Sequence, residues 1–243
     1  MPRFFVRRDQ ITDGTVTIKG DDAHHISRSL RMAAGEHITV CDMQSNEYDC
    51  VLESFASDVT ARIVSERKVD VEPPYRVHLF QGLPKGEKLD TVIQKAVECG
   101  VYDITPFECE RCIVKVKVDA EKSKTERRCR IALEAAKQSG RGIVPVVNET
   151  CSFDEMVKRC SGFDVFIMCY EGDGTVGLKR LLSNCKDCKD IAIIVGPEGG
   201  FSLREAEKCR EAGAAMAGLG SRILRTETAA SFALACLVYE FEL

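Results

Sequence analysis

At 243 residues the chain is long enough for one large domain or two modest ones. Charged residues make up 30% of it and the formal net charge is −4, which excludes a globally basic nucleic-acid binder; any such partner has to meet a local patch. There is no apolar run of about 18 residues, and the chain opens directly into charged residues, so neither a membrane span nor a signal peptide is expected and the expected location is cytoplasmic.

Residues 1–72 read as a small β-rich unit. The segments 16–18, 37–41, 48–52 and 59–64 are short and partly alternating. Asp, Gly, Asn and Ser separate them at the spacing of a barrel or sandwich. One helix is predicted over 21–31, where Asp21 and Asp22 at its start and Arg28 and Arg31 near its end suit the helix dipole. Arg3, Arg7, Arg8, Arg28 and Arg31 give the unit a basic face, either a solvated surface or an RNA-contacting patch. The pair His24 and His25 has no neighbouring Cys or carboxylate at a spacing that would complete a metal site.

The polar stretch 65–75, ending in Pro73 and Pro74, reads as a linker, which divides the chain into 1–72 and 73–243. Beyond it the pattern changes to strands alternating with helices. A strand is predicted at 76–80, followed by a helix that carries Leu89, Val92, Ile93, Ala96 and Val97 on one face and ends near Gly100. Lys85 and Gly86 lack the frame of a phosphate-binding loop. Further strands are expected at 101–106, 113–116, 143–147 and 165–169, with a helix over 121–138 and a capping box at Ser152 and Glu155. The alternation predicts a mainly parallel α/β sheet.

Thirteen cysteines, odd in number and scattered, argue against a disulfide framework. Two CxxC pairs occur, Cys109/Cys112 and Cys185/Cys188, and four thiolates at such spacings can hold zinc. Cys109 and Cys112 run into a strand-like segment without a glycine-turned knuckle. The expectation is therefore reduced cysteines used as small apolar residues, and no metal.

The most informative chemistry lies in the last fifty-odd residues. A buried strand at 191–195 (IAIIV) ends in Gly196, Pro197, Glu198, Gly199 and Gly200. A capping box at Ser202 and Glu205 then starts a helix that Gly213 ends. A short strand at 214–217 leads into a second glycine-bearing loop, 218–225. The final helix from Thr226 is apolar on nearly every face, so it should be buried in the domain or against another subunit. Two such loops at adjacent strand ends can enclose one small molecule. The dinucleotide fingerprint is absent. Ile223 and Leu224 can flank a flat ring, and Arg225 and Glu227 can either meet a charged substrate or simply pair with each other and cap the helix.

Residues 194–202 together with 219–229 resemble the RsmE-type 16S ribosomal RNA (uracil-N3)-methyltransferases of the SPOUT superfamily. The likeness extends over the whole chain, through Arg3 to Val6, His24 to Gly35, Lys85 to Val101, Arg111 to Lys115, and Glu134 to Arg141. It implies a PUA-like β-barrel that contacts RNA, and a C-terminal α/β domain with a trefoil knot. It also implies a homodimer and S-adenosylmethionine as methyl donor. The resemblance places the cofactor among Gly196, Gly199, Leu219, Gly220, Ile223 and Leu224. For methylation at uracil N3, Arg225 and Glu227 are the expected catalytic residues, Arg225 to stabilise negative charge on the imide and Glu227 to orient it or accept the proton. Arg3, Arg7, Arg28, Arg31, Arg111, Lys115 and Arg141 become the candidates for contact with 16S ribosomal RNA in the small subunit. Cys109 and Cys112 depart from the family pattern, which favours small polar residues on either side of Arg111. The rival readings are a non-catalytic RNA-binding assembly factor and a small-molecule α/β enzyme.

Overall fold

The computed structural model describes residues 1–116 and 118–243, and the chain divides into two compact units. The first takes in Met1–Glu72 together with Ala136–Val144, and the second Pro73–Ala135 together with Pro145–Leu243.

The first unit contains β1 (Arg3–Phe5), β2 (Ile11–Thr12), β3 (Thr15–Ile18), α1 (Gly20–His24), β4 (His37–Cys41), β5 (Asn46–Phe55) and β6 (Val59–Lys68). They form one sheet in the order β1-β4-β5-β6-β3-β2, with β1 parallel to β4 and the other pairs antiparallel. Its core gathers Phe4, Val16, Ile18, Ile26, Ile38, Val40, Tyr48, Leu52 and Val59. The helix predicted over 21–31 is shorter and mixed, since α1 passes into a π-helical turn over His25–Ser29. The linker predicted from residue 65 starts later than expected. Ser65 to Lys68 stay in β6 because they pair with Asn46 to Asp49 across the β5 ladder.

The segment 136–144, expected in the second domain, belongs to the first unit. Arg141 is only 3% exposed and its guanidinium binds both oxygens of Glu72. Gly142 packs so closely that a Cβ there would sit 3.1 Å from Ser45 Cα.

The second unit contains β7 (Arg76–Gly82), α2 (Lys88–Glu98), β8 (Asp103–Glu108), most of α3 (Val118–Ser139), β9 (Val146–Val147), β10 (Cys151–Ser152), α4 (Phe153–Cys160), β11 (Val165–Cys169), β12 (Val176–Gly177), α5 (Leu178–Leu182), β13 (Asp190–Val195), α6 (Leu203–Glu211), β14 (Ala215–Gly218) and α7 (Thr226–Phe241). The strand order is β10-β8-β7-β13-β11-β14-β12, with β9 beside β8, and every pairing is parallel. Ile191 to Val195 are each at most 2% exposed, as a strand covered on both faces requires.

Two strand expectations fail here. Residues 113–116 form bends rather than a strand: the Val116 amide donates to Glu108 Oε1 at 2.6 Å instead of entering a ladder, and Ile113 is 70% exposed. Only Val146 and Val147 of 143–147 are extended in the sheet, because Pro145 has no amide to pair. The third difference bears on the site. β13 and β14 are not neighbours, since β11 lies between them and pairs with both.

Candidate active site

A cleft of about 750 Å³ opens at the carboxyl ends of β13, β11 and β14, which is where open parallel sheets bind ligands. Its size suits a small organic molecule. Three loops line it: the one after β13, the one after β14, and residues 170–175 after β11. The loops reach the cleft for local reasons. Ser202 and Glu205 form a reciprocal capping box that starts α6 immediately after the first loop. Gly200 (φ +63°) and Gly220 (φ +113°) take backbone conformations that favour glycine.

A buried polar clamp holds the first two loops together. Thr226 Oγ1, at the start of α7, donates to the Gly196 carbonyl at 2.6 Å. Gln81 Nε2, fully buried at the end of β7, donates to Thr226 Oγ1 at 2.8 Å and to the Gly82 carbonyl at 2.9 Å. Gly82 itself admits Pro197, since a Cβ there would lie 2.6 Å from Pro197 Cδ and 2.7 Å from its nitrogen. The outer side of the first loop is tied down by Glu198, which accepts from Lys88 Nζ at 2.7 Å and from the Lys85 amide at 3.1 Å. Burial works against the Glu198 carboxylate, but the Lys88 hydrogen bond and backbone amides outweigh it and hold its pKa below the ordinary value.

All six residues expected to hold the cofactor (Gly196, Gly199, Leu219, Gly220, Ile223 and Leu224) line the cleft, and so does Arg225. The Arg225 carbonyl accepts from the Ala229 amide at 2.8 Å, but among the described residues its guanidinium makes no hydrogen bond or ion pair, so it does not pair with Glu227. Glu227 is absent from the lining. It stands in the first turn of α7 with Oε2 buried and without a hydrogen-bond partner among the described residues. Both lie where the helix begins, but only Arg225 lines the cleft.

The seven basic candidates separate into two groups. Arg3 and Arg141 are structural: Arg3 binds Glu47 and is largely buried, and Arg141 is held by Glu72. Phosphate contact by either would compete with a buried ion pair. Arg7, Arg28, Arg31, Arg111 and Lys115 are exposed. Arg7 pairs with Asp9, whereas Arg111 lines the cleft and donates to the Gly199 carbonyl at 3.0 Å. All thirteen cysteines are free thiols, and among the described residues no group of three or more His, Cys, Asp or Glu is placed to hold a metal.

The sequence reading missed Gln81, Gly82, Lys88 and the loop after β11. The available signal was a Gln-Gly pair closing a buried strand, and the glycines Gly172 and Gly174 after a second buried strand. Neither signal says which strand ends become neighbours.

The RNA methyltransferase domain model matches residues 71–238, and the RNA methyltransferase PUA domain model matches residues 18–57. The chain is 36% identical to ribosomal RNA small subunit methyltransferase E of Bacillus subtilis, with 100% of this chain and 98% of the relative covered. The structure of ribosomal RNA small subunit methyltransferase E from Neisseria gonorrhoeae, bound to S-adenosyl methionine, superposes with a TM-score of 0.88 at 30% identity, covering 99% of this chain and 98% of that one. A Legionella pneumophila methyltransferase solved with its cofactor SAM gives the same TM-score and identity, covering 98% and 96%.

Proposed function

The chain belongs to the RNA methyltransferase family that includes ribosomal RNA small subunit methyltransferase E, and from that premise we propose that it transfers a methyl group from S-adenosylmethionine to N3 of one uridine in 16S ribosomal RNA. The observation that carries this reading is the cleft itself. Two glycine loops joined by the Thr226–Gly196 bond enclose it, and an unpaired arginine stands on its wall. When bound, S-adenosylmethionine supplies an electrophilic methyl on sulfonium. The chain's own residues bind, orient and polarise. The backbone of Gly196, Gly199, Leu219 and Gly220 reads the adenine edge, and Ile223 and Leu224 cover its faces. The volume and the backbone-rich walls fit a group of that size.

Uracil N3 carries a proton and lies in the Watson–Crick edge, so the target base must be unpaired and its imide must lose that proton. Arg225 stabilises the negative charge that develops on the imide. Glu227 acts as a positioning residue from the first turn of α7 rather than from the cleft wall. Alignment of the two reactants supplies much of the remaining rate. Arg28 and Arg31 in the first unit, and Lys115 and Arg111 in the second, contact phosphates.

The family likeness also supports a PUA-like barrel for the first unit, a trefoil knot in the second, and the cytoplasm as the working location. It supports a homodimer as well. α7 is apolar on nearly every face, yet it leaves Phe232 42% and Tyr239 73% exposed, which is the surface a second copy would cover. No described helix is long and apolar enough to cross a membrane.

The decisive experiment incubates undermodified small subunits with protein and S-adenosylmethionine and maps methylated uridines by mass spectrometry. One N3-methylated position supports the reading, and no incorporation sinks it in favour of a non-catalytic assembly factor. For the RNA face, Arg28→Ala with Arg31→Ala should reduce the slope of log affinity against log salt by roughly 1.4 to 1.8.

A further inference from the structure

Cys109 and Cys112 stand apart from the single buried thiols of the core. Burial pushes Cys50, Cys169 and Cys209 up to about 12, which suits cysteines serving as small apolar residues. Cys109 and Cys112 are as buried as a core residue, yet their Sγ atoms lie 3.3 Å apart. The Cys109 amide donates to Cys112 Sγ at 3.3 Å, and the Cys112 amide donates to the Cys109 carbonyl at 3.1 Å, so a tight turn surrounds the pair. The Cys109 thiol lowers the pKa of Cys112; burial opposes this, but the amides of Cys109 and Leu83 and the Lys115 ammonium add to the lowering and leave it below the ordinary thiol value. The same sulfur–sulfur hydrogen bond, together with burial, pushes Cys109 the other way.

The two residues between these sulfurs, Glu110 and Arg111, are exposed. Arg111 is bonded to the Gly199 carbonyl, and a Cβ on Gly199 would lie 3.0 Å from Arg111 Cβ. The turn therefore touches the loop after β13 directly.

We propose that Cys109 and Cys112 form a reversible dithiol–disulfide site whose state sets how Arg111 meets the loop at Gly199. The effect on ligand binding rests on the cofactor reading given above; the disulfide does not. The oxidant is hydrogen peroxide. The Cys112 thiolate attacks one peroxide oxygen, an S–O bond forms, the O–O bond breaks, and the departing hydroxide takes up the proton that the Cys112 thiol released and leaves as water. The Cys109 sulfur then attacks Cys112 Sγ, the S–S bond forms, the S–O bond breaks, and the second oxygen leaves as water with the Cys109 proton. Two thiols are oxidised and one peroxide is reduced to water. A disulfide needs its sulfurs about 2.05 Å apart, so the pair must close by a little over an ångström, which tightens the turn that carries Arg111.

The test treats the reduced full chain with graded hydrogen peroxide, blocks remaining thiols by alkylation, and maps disulfides by peptide mass spectrometry. S-Adenosylmethionine affinity is then measured by calorimetry before and after oxidation. The 109–112 bond is expected to form before any other and to revert with dithiothreitol. Affinity should change about fivefold or more between the two states. Cys112→Ser should abolish both responses, and Cys109→Ala serves the same purpose if circular dichroism shows that the first variant is unfolded. Another pair oxidising first, or a 109–112 bond that leaves the affinity unchanged, overturns the proposal. A reduced chain that binds no S-adenosylmethionine would instead sink the cofactor reading, with the mass map still deciding the disulfide.

Discussion

β7 and β13 run side by side from Arg76 and Asp190 to Gln81 and Val195, and their two ends are built on opposite principles. At the amino end charged side chains do the joining. Asp190 takes both Arg76 and His78 Nε2, the latter at 3.0 Å. His78 Nδ1 meets Asp103 Oδ2 at 2.9 Å, and the imidazole stacks on Phe163 with ring centroids 4.2 Å apart. At the carboxyl end the groups that join the strand ends directly are neutral: a Gln81 amide, a Thr226 hydroxyl and the Gly196 carbonyl. Five glycines, at 196, 199, 200, 218 and 220, stand at the end of β14 and in the two loops that follow β13 and β14, so backbone dipoles remain available to a ligand. The same pair of strands is held by charge at one end and borders the cleft at the other.

That contrast breaks most visibly where the carboxyl end is most crowded. In Gly82→Ala the new Cβ would overlap the Pro197 nitrogen and ring, which belong to backbone that cannot swing aside. Overpacking of this kind costs about 1–3 kcal/mol, and the strain falls on the first loop. S-Adenosylmethionine affinity measured by calorimetry should drop by up to about a hundredfold. Unchanged affinity would mean that the loop is not part of the binding wall. Read in the rate rather than in binding, Arg225→Ala should lower methylation by about 10²–10³ while leaving cofactor affinity intact. A variant with full activity would remove Arg225 from the mechanism. Smaller again, Thr226→Val keeps the shape but takes a partner from both Gln81 and the Gly196 carbonyl. Losing a buried hydrogen-bond partner costs about 1–3 kcal/mol, and about tenfold weaker cofactor binding is the expected reading.

The binding end was more legible in the sequence than the holding end. IAIIV followed by GPEGG announces a buried strand and a sharp turn, and the Ser202–Glu205 spacing announces the helix behind it. These are local features, and local physics decides them. That Gln81 would cross more than a hundred positions to meet Thr226 is tertiary information, as is the insertion of β11 between β13 and β14. Residues 113–116 misled for the same reason in reverse: their β-branched composition fits a strand, but a side-chain acceptor on Glu108 claims the Val116 amide. Arg3 and Arg141 looked like surface charges, because a sequence does not reveal that Glu47 and Glu72 wait for them in the fold.

The holding end gives the smallest effect and the cleanest separation of the two. Burial depresses the basicity of His78, but its hydrogen bonds to the Asp103 and Asp190 carboxylates outweigh it, so its pKa in the folded chain lies above the ordinary histidine value of about 6.5. A group raised in this way favours the folded state when protonated. Its contribution is fully present below the unfolded pKa and is lost as pH rises through the higher folded one. Thermal unfolding followed by circular dichroism should therefore show a lower Tm at pH 8 than at pH 6. His78→Gln, which has no proton to lose in that range, should flatten the difference. Because His78 sits at the far end of β7 from Gln81, its removal should leave S-adenosylmethionine affinity at pH 6 unchanged within error. A variant that loses affinity along with its pH dependence would show that charge at one end of these strands governs ligand at the other, and that the two ends are not separable.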